Sequence, residues 1–220
     1  MALDEGNLDV AKLLKGRMVG KDSQRDIEMA PLVTQAQDTL PDVAQPFPAD
    51  EKGPTIFNES GISLHIASKE GNLDAGRSLL DTGTNVDYRD ANHQTPLHRA
   101  SQRGSAELAK LVIKYGADVH ARSRSGATSL HAASSGDGHL DVVQLLLDHG
   151  VDANASGEDD WTPLHYASYC GHFEIVQELL KRGANVSARN VEGRTPSDEA
   201  RRGGERRIVQ LLSEYSGRGI

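Results

Sequence analysis

One cysteine in 220 residues excludes an intrachain disulfide, so packing alone must hold the fold, and a reducing compartment suits the chain. Aromatic residues make up only 4% of the composition, so small side chains in close approach, rather than large rings, must fill the interior. No segment approaches the ~18 consecutive apolar residues of a membrane helix. The opening MALDEGNLDV has neither the basic start nor the apolar stretch of a secretory leader. Positive charge is also in deficit: 24 Lys and Arg stand against 32 Asp and Glu, a formal net charge of −8. Divided at residue 60, the first part holds 6 basic and 11 acidic residues and the rest 18 and 21, so neither part attracts nucleic acid in general. These absences lead to the expectation of a soluble intracellular chain, cytoplasmic, nuclear or both.

Proline is present but unevenly spread. Pro31, Pro41, Pro46, Pro48 and Pro54 crowd one stretch, where they remove backbone donors and push the residues before them out of helical conformation. Few large apolar residues accompany them, so residues 17–57 are expected to be a flexible linker. The other three, Pro96, Pro163 and Pro196, each follow a threonine. There proline fits the first position of a helix and the threonine can cap the free N–H groups of its first turn.

Those threonines open a repeated phrase. TPLHRASQRG begins at Thr95, TSLHAASSGDG at Thr128, TPLHYASYCG at Thr162 and TPSDEARRGG at Thr195, with a worn copy, ISLHIASKEG, from Ile62. His65, His98, His131, His165 and Asp198 are spaced by 33, 33, 34 and 33 residues, and the extra residue lies in SSGDG. A second phrase keeps the same phase: GNLDAGRSLLDTG from Gly71, GHLDVVQLLLDHG from Gly138 and GHFEIVQELLKRG from Gly171. In it Leu140, Val143, Leu146 and Leu147 fall on one face of a helix, so each repeat is read as two short helices.

A period near 33 carrying T-P-L-H-x-A resembles the ankyrin repeat, over roughly residues 60–215. The resemblance implies an all-α repeat solenoid of helix-turn-helix pairs joined by β-hairpin-like turns. Stacking would turn Leu64, Leu97, Leu130 and Leu164 into a continuous core, with Ala67, Ala100, Ala133 and Ala167 letting the inner helices approach. The array is placed at residues 58–217, as about four repeats and a C-terminal capping repeat in which Ser197 and Asp198 replace leucine and histidine. At the other end, Ile62 and Ser63 replace Thr-Pro, which predicts a weaker helix start. Residues 1–16 contain LDEGNLDVAKLLKG, an outer-helix phrase without its inner helix. Either it is half a repeat of a longer array, which the letter-for-letter match of residues 6–9 to 71–74 favours, or it is a lone amphipathic helix that docks elsewhere.

Nine histidines and Cys170 raise the question of chemistry. His65, His98, His131 and His165 occupy equivalent places in successive repeats, a helix-packing distance of roughly 8–10 Å apart. Zinc needs its nitrogens about 2 Å from one centre, so they cannot share a metal. The resemblance implies a structural histidine bonded near the threonine and to neighbouring backbone. His139 and His172 follow turn glycines at outer-helix starts, which is also typical of the family. Cys170 beside His165 or His172 has no identifiable orienting group or oxyanion site, which favours an inert thiol. The expectation is no enzyme, no metal and no cofactor.

What remains is surface. The resemblance implies a concave face made by turn tips and the exposed side of the inner helices, so residues just before each threonine and each turn glycine are the candidates. They are Arg89, Asn92, Gln94, Arg122, Arg124 and Ser125 at the tips of the second and third repeats, with Arg103 on an inner helix. The fourth repeat contributes Glu158, Asp159, Asp160, Trp161 and Tyr169, and the fifth Arg189 and Arg194. Solvation alone also demands polar tips, and tryptophan before T-P-L-H is common in the family, but aromatic residues lead among binding hot spots. The expected function is a non-enzymatic scaffold or adaptor module, monomeric, binding another protein on that face. An alternative is a piece of a larger protein whose effector part lies elsewhere. Nucleic-acid binding through the arginines and RRGGERR is disfavoured by the net acidic repeat region.

Overall fold

The computed structural model describes residues 63–217. The half-repeat phrase at residues 3–16, the expected linker at 17–57 and Ile62 lie outside the described residues. Among those described there are ten α-helices in five pairs and no strand. The inner helices are α1 Leu64–Glu70, α3 Pro96–Arg103, α5 Ser129–Ser134, α7 Pro163–Cys170 and α9 Pro196–Gly203. Their outer partners are α2 Leu73–Asp81, α4 Ala106–Lys114, α6 Leu140–Asp148, α8 Phe173–Lys181 and α10 Arg206–Gly217. Each inner helix packs on the next inner helix and each outer on the next outer, which makes a two-layer helical solenoid.

The Thr-x-x-His phrase explains both the helix start and the stacking. Thr95, Thr128, Thr162 and Thr195 sit in extended conformation as N-caps and form reciprocal capping boxes with the residue three places on. The backbone N–H of Thr95, Thr128 and Thr162 donates to Nδ1 of His98, His131 and His165 at 3.2, 3.0 and 3.1 Å. Nε2 of the same rings donates to a carbonyl of the following repeat: Ala127, Trp161 and Arg194, each at 3.1 Å. A carbonyl only accepts, so Nε2 carries the proton and Nδ1 stays the acceptor. In the last repeat Asp198 Oδ2 accepts from Thr195 N–H at 2.9 Å, and a carboxylate offers nothing to a further repeat. That repeat therefore keeps its capping box but lacks the ring donor of the others.

At the first repeat the helix start lies one residue later in the register and carries no reciprocal capping box. Ser63 becomes the N-cap of α1, its Oγ accepting from Ile66 N–H at 3.3 Å, and His65 still reaches Gln94 O at 2.8 Å. The inserted residue in SSGDG is absorbed by shortening: α5 has 6 residues and ends at extended Ser135, whereas α1, α3, α7 and α9 end at left-handed glycines. At such a turn Gly104 has φ +77, and a Cβ there would meet the His139 ring of the next repeat at 2.2 Å. His139 Nε2 lies 3.2 Å from Gln102 O, so the ring closes over the glycine as a second inter-repeat tie.

Leu64, Leu97, Leu130 and Leu164 are buried in one continuous core with Ala67, Ala100, Ala133 and Ala167. The outer helix α6 buries Val142, Val143, Leu146 and Leu147, while Leu140 is only half-buried. It touches an outer helix on each side as well as its own inner helix, so its apolar arc is wider than the single stripe read from the sequence. In α10, Ile208 and Leu212 are buried and Val209 and Leu211 half-buried against the fourth repeat and α9.

Candidate functional site

The turn tips align position by position, and hydrogen bonds couple each to the next. Asp90 and Asn190 organise two of them, their Oδ1 atoms accepting from Asn92 and Gln94 N–H and from Glu192 and Arg194 N–H. Arg124 N–H donates to Asn92 O at 2.9 Å and Val191 N–H to Asp159 O at 3.0 Å. Arg89 Nη1 donates to Arg122 O at 2.8 Å, and Arg122 Nη1 to Gly126 O at 2.8 Å and Ser156 O at 2.7 Å. These arginines thus brace the tips through carbonyls while their charge stays exposed and unneutralised by any carboxylate among the described residues.

The candidates fall into three groups. Arg89, Asn92, Arg103, Arg122, Arg124 and Ser125 are exposed, as are Glu158, Asp159, Asp160 and Arg189. Gln94 is half-buried, and its carbonyl accepts from Asp90 N–H and His65 Nε2, so its backbone belongs to the scaffold. Arg194 is committed to structure: Nε donates to Glu199 Oε1 at 2.6 Å, and Glu192 pairs with the same guanidinium. Glu199 is wholly buried, and Arg202 Nη1 at 2.7 Å and Asn190 Nδ2 at 3.0 Å complete its partners. Burying that carboxylate requires those donors, so Arg194 is not a free contact residue.

Trp161 and Tyr169 do come together, with a third ring between them in sequence. The Trp161 ring packs on Tyr166 at 4.8 Å between centroids and on Tyr169 at 6.1 Å, and all three are half-buried. Tyr166 lies three residues before Tyr169 on α7, hence on the same side of the helix. Its place in the register, directly after the motif histidine, was the available signal, since the same position holds Arg99, which ion-pairs with Asp90 at 2.6 Å. Burial, reinforced by the charges of Glu158 and Asp159, pushes the Tyr166 phenol up to about 12.

The acidic tip beside this cluster is a short 3-10 turn, Glu158–Asp160. Asp159 and Asp160 both have positive φ, 54° and 59°, where the third and fifth repeats place glycine at the second of these positions, Gly126 and Gly193. No cation pairs with these carboxylates among the described residues.

The motif histidines are scaffold groups with depressed basicity. Burial pushes His131 down to about 4, with Arg122 adding a smaller push, and burial likewise lowers His65, His98 and His165. Among the described residues no group of three or more His, Cys, Asp or Glu side chains could hold a metal ion, and no helix is long and apolar enough to cross a membrane.

Comparison with known proteins agrees with the geometry. A family model described as ankyrin repeats (3 copies) matches residues 64–157 and residues 130–219, which together span well over half of the chain. No curated protein matches it.

Proposed function

The chain belongs to the ankyrin repeat family, whose repeats are generally protein–protein interaction modules, and from that premise we propose that a protein partner lies across its tips and inner helices, centred on the fourth repeat. Trp161 and Tyr169, joined by Tyr166, anchor the contact, and Arg122 and Arg124 steer a complementary acidic surface. The observation that supports this reading is the half-exposed cluster of three rings flanked by exposed charges of both signs that have no ion-pair partner among the described residues. Packed rings offer large apolar area at little entropic cost, and rim charges act on encounter more than on lifetime. The same reading makes the protein a non-enzymatic, monomeric scaffold or adaptor of the cytoplasm or nucleus.

Affinity capture with mass spectrometry identifies a partner, and kinetics on that pair test the face. Trp161→Ala is expected to weaken binding by ~2 kcal/mol or more, mostly through faster dissociation, and Arg124→Glu to slow association in a salt-sensitive way. Normal binding by both, with loss on substitution of the outer-helix residues Gln144 or Gln177, would move the contact to the convex side.

A further inference from the structure

Charge on the tip and inner-helix face is segregated by repeat. Arg89, Arg103, Arg122 and Arg124 occupy the second and third repeats without a carboxylate partner among the described residues, and the nearby Asp90 is taken by Arg99. One repeat further on stand Glu158, Asp159 and Asp160 without a cation partner among the described residues. The basic residues of the fifth repeat do not reach them: Arg194 and Arg202 hold Glu199, and Arg189 turns to Gly193 O at 2.6 Å. Like charges gathered on one tip repel one another, and that repulsion is relieved when an opposite charge docks.

Side-chain size on this face also differs between repeats. Where the second and fourth repeats carry Arg99 and Tyr166, the third carries Ala132, and where they carry Gln102 and Tyr169 it carries Ser135. At these two positions the third repeat therefore carries smaller side chains than the repeats on either side, and the Tyr166 ring leans across onto His131 at 6.0 Å between centroids. Adjacent tips are linked by the Arg122 to Ser156 hydrogen bond, so they are one repeat apart in space as well as in sequence.

Resting on the protein-binding reading above, we propose that this face takes an extended peptide segment of polarised charge. Acidic residues of the segment lie over the arginines of the second and third repeats. A lysine or arginine sits against the Glu158–Asp160 tip with its methylenes on Trp161. Neighbouring repeats are roughly 8–10 Å apart and an extended chain rises ~3.3 Å per residue, so the acidic and basic residues are separated by about three to six positions. The cation gains from the carboxylates and from the indole face together. Because the two regions differ in the sign of their charge, the segment binds in one direction only.

The test uses the full chain as bait for a displayed library of random peptides of about twelve residues, long enough to cross four repeats. Selection on the unaltered chain is expected to enrich acid and base at that separation and in one order. Selection on Arg124→Glu should lose the acidic preference, and selection on Glu158→Lys the basic one. Both residues are exposed, and weakening of the native-selected peptides by added salt gives a reading that needs no variant. Trp161→Ala should weaken the native-selected pool by about tenfold or more. Peptides that depend on Trp161 but show no charge polarity overturn this inference and leave the protein-binding face standing. Recovery only of peptides indifferent to Trp161→Ala, or of none, overturns both.

Discussion

Acid should loosen the stack at a pH where its carboxylates are still ionised, and His131 gives the size of the effect. An unfolded histidine titrates near 6.5, whereas burial holds folded His131 near 4 with only 3% of its surface exposed. Between those values the unfolded chain binds more protons than the folded one, so stability falls as pH falls through this window and rises again with pH. At about pH 5 the linkage amounts to a loss of about 2 kcal/mol from this one residue, set against a typical total of 5–15. His65, His98 and His165 are lowered in the same direction and add to it. Asp90 and Asp198 are held below their ordinary 3.8, Asp198 mainly by its hydrogen bonds to Thr195 and Asp90 by those to Gln94 and Arg99 against its burial, so their contribution is lost only at still lower pH. Urea unfolding of the chain and of His131→Gln at about pH 7 and about pH 5 separates the terms. Glutamine at that position keeps the capping-box acceptor but does not titrate. The variant is expected to be about 1 kcal/mol less stable at neutral pH, for the lost donation to Trp161 O, yet to lose about 2 kcal/mol less than the parent on acidification. Equal losses in both proteins would refute the neutral, tautomer-locked histidine.

Three stability measurements probe the rest of the scaffold. Leu130→Ala and Leu164→Ala, at residues 0% and 1% exposed, should each lower the unfolding free energy by about 2–5 kcal/mol, and a loss under ~1 would remove them from the core. Gly104→Ala places a Cβ against His139 at positive φ and should cost more than about 1 kcal/mol, with a neutral thermal melt as the contrary result. Ser168 Oγ is fully buried with no hydrogen-bond partner among the described residues, so Ser168→Ala should stabilise by about 1 kcal/mol; destabilisation of that size would show that the hydroxyl is satisfied.

Legibility differed between scaffold and surface. The period, the two helices of each repeat, the leucine and alanine core and the location of the inserted residue could all be read in advance. Each follows from short-range rules: a threonine caps the N–H groups beside it, a glycine ends the helix it follows, and an apolar residue faces inward at a fixed phase. In a solenoid these rules suffice for tertiary contact as well, because each repeat meets only its neighbours and residues about 33 apart are automatically adjacent.

What the sequence by itself determined, then, is the stack and its register: His98, His131 and His165 can join successive repeats only because they recur at that spacing, and Asp198 keeps the capping box without a ring donor. The tertiary structure alone decided how exposed side chains spend their charge and area. It drew Arg194 into the buried Glu199 network, left the exposed Arg124 guanidinium without a carboxylate among the described residues, packed Trp161 against both Tyr166 and Tyr169, moved the first cap to Ser63 and shortened α5. Long polar and aromatic side chains have several reachable partners across a repeat boundary, and which of them is met depends on rotamer and burial, for which a linear pattern carries no signal.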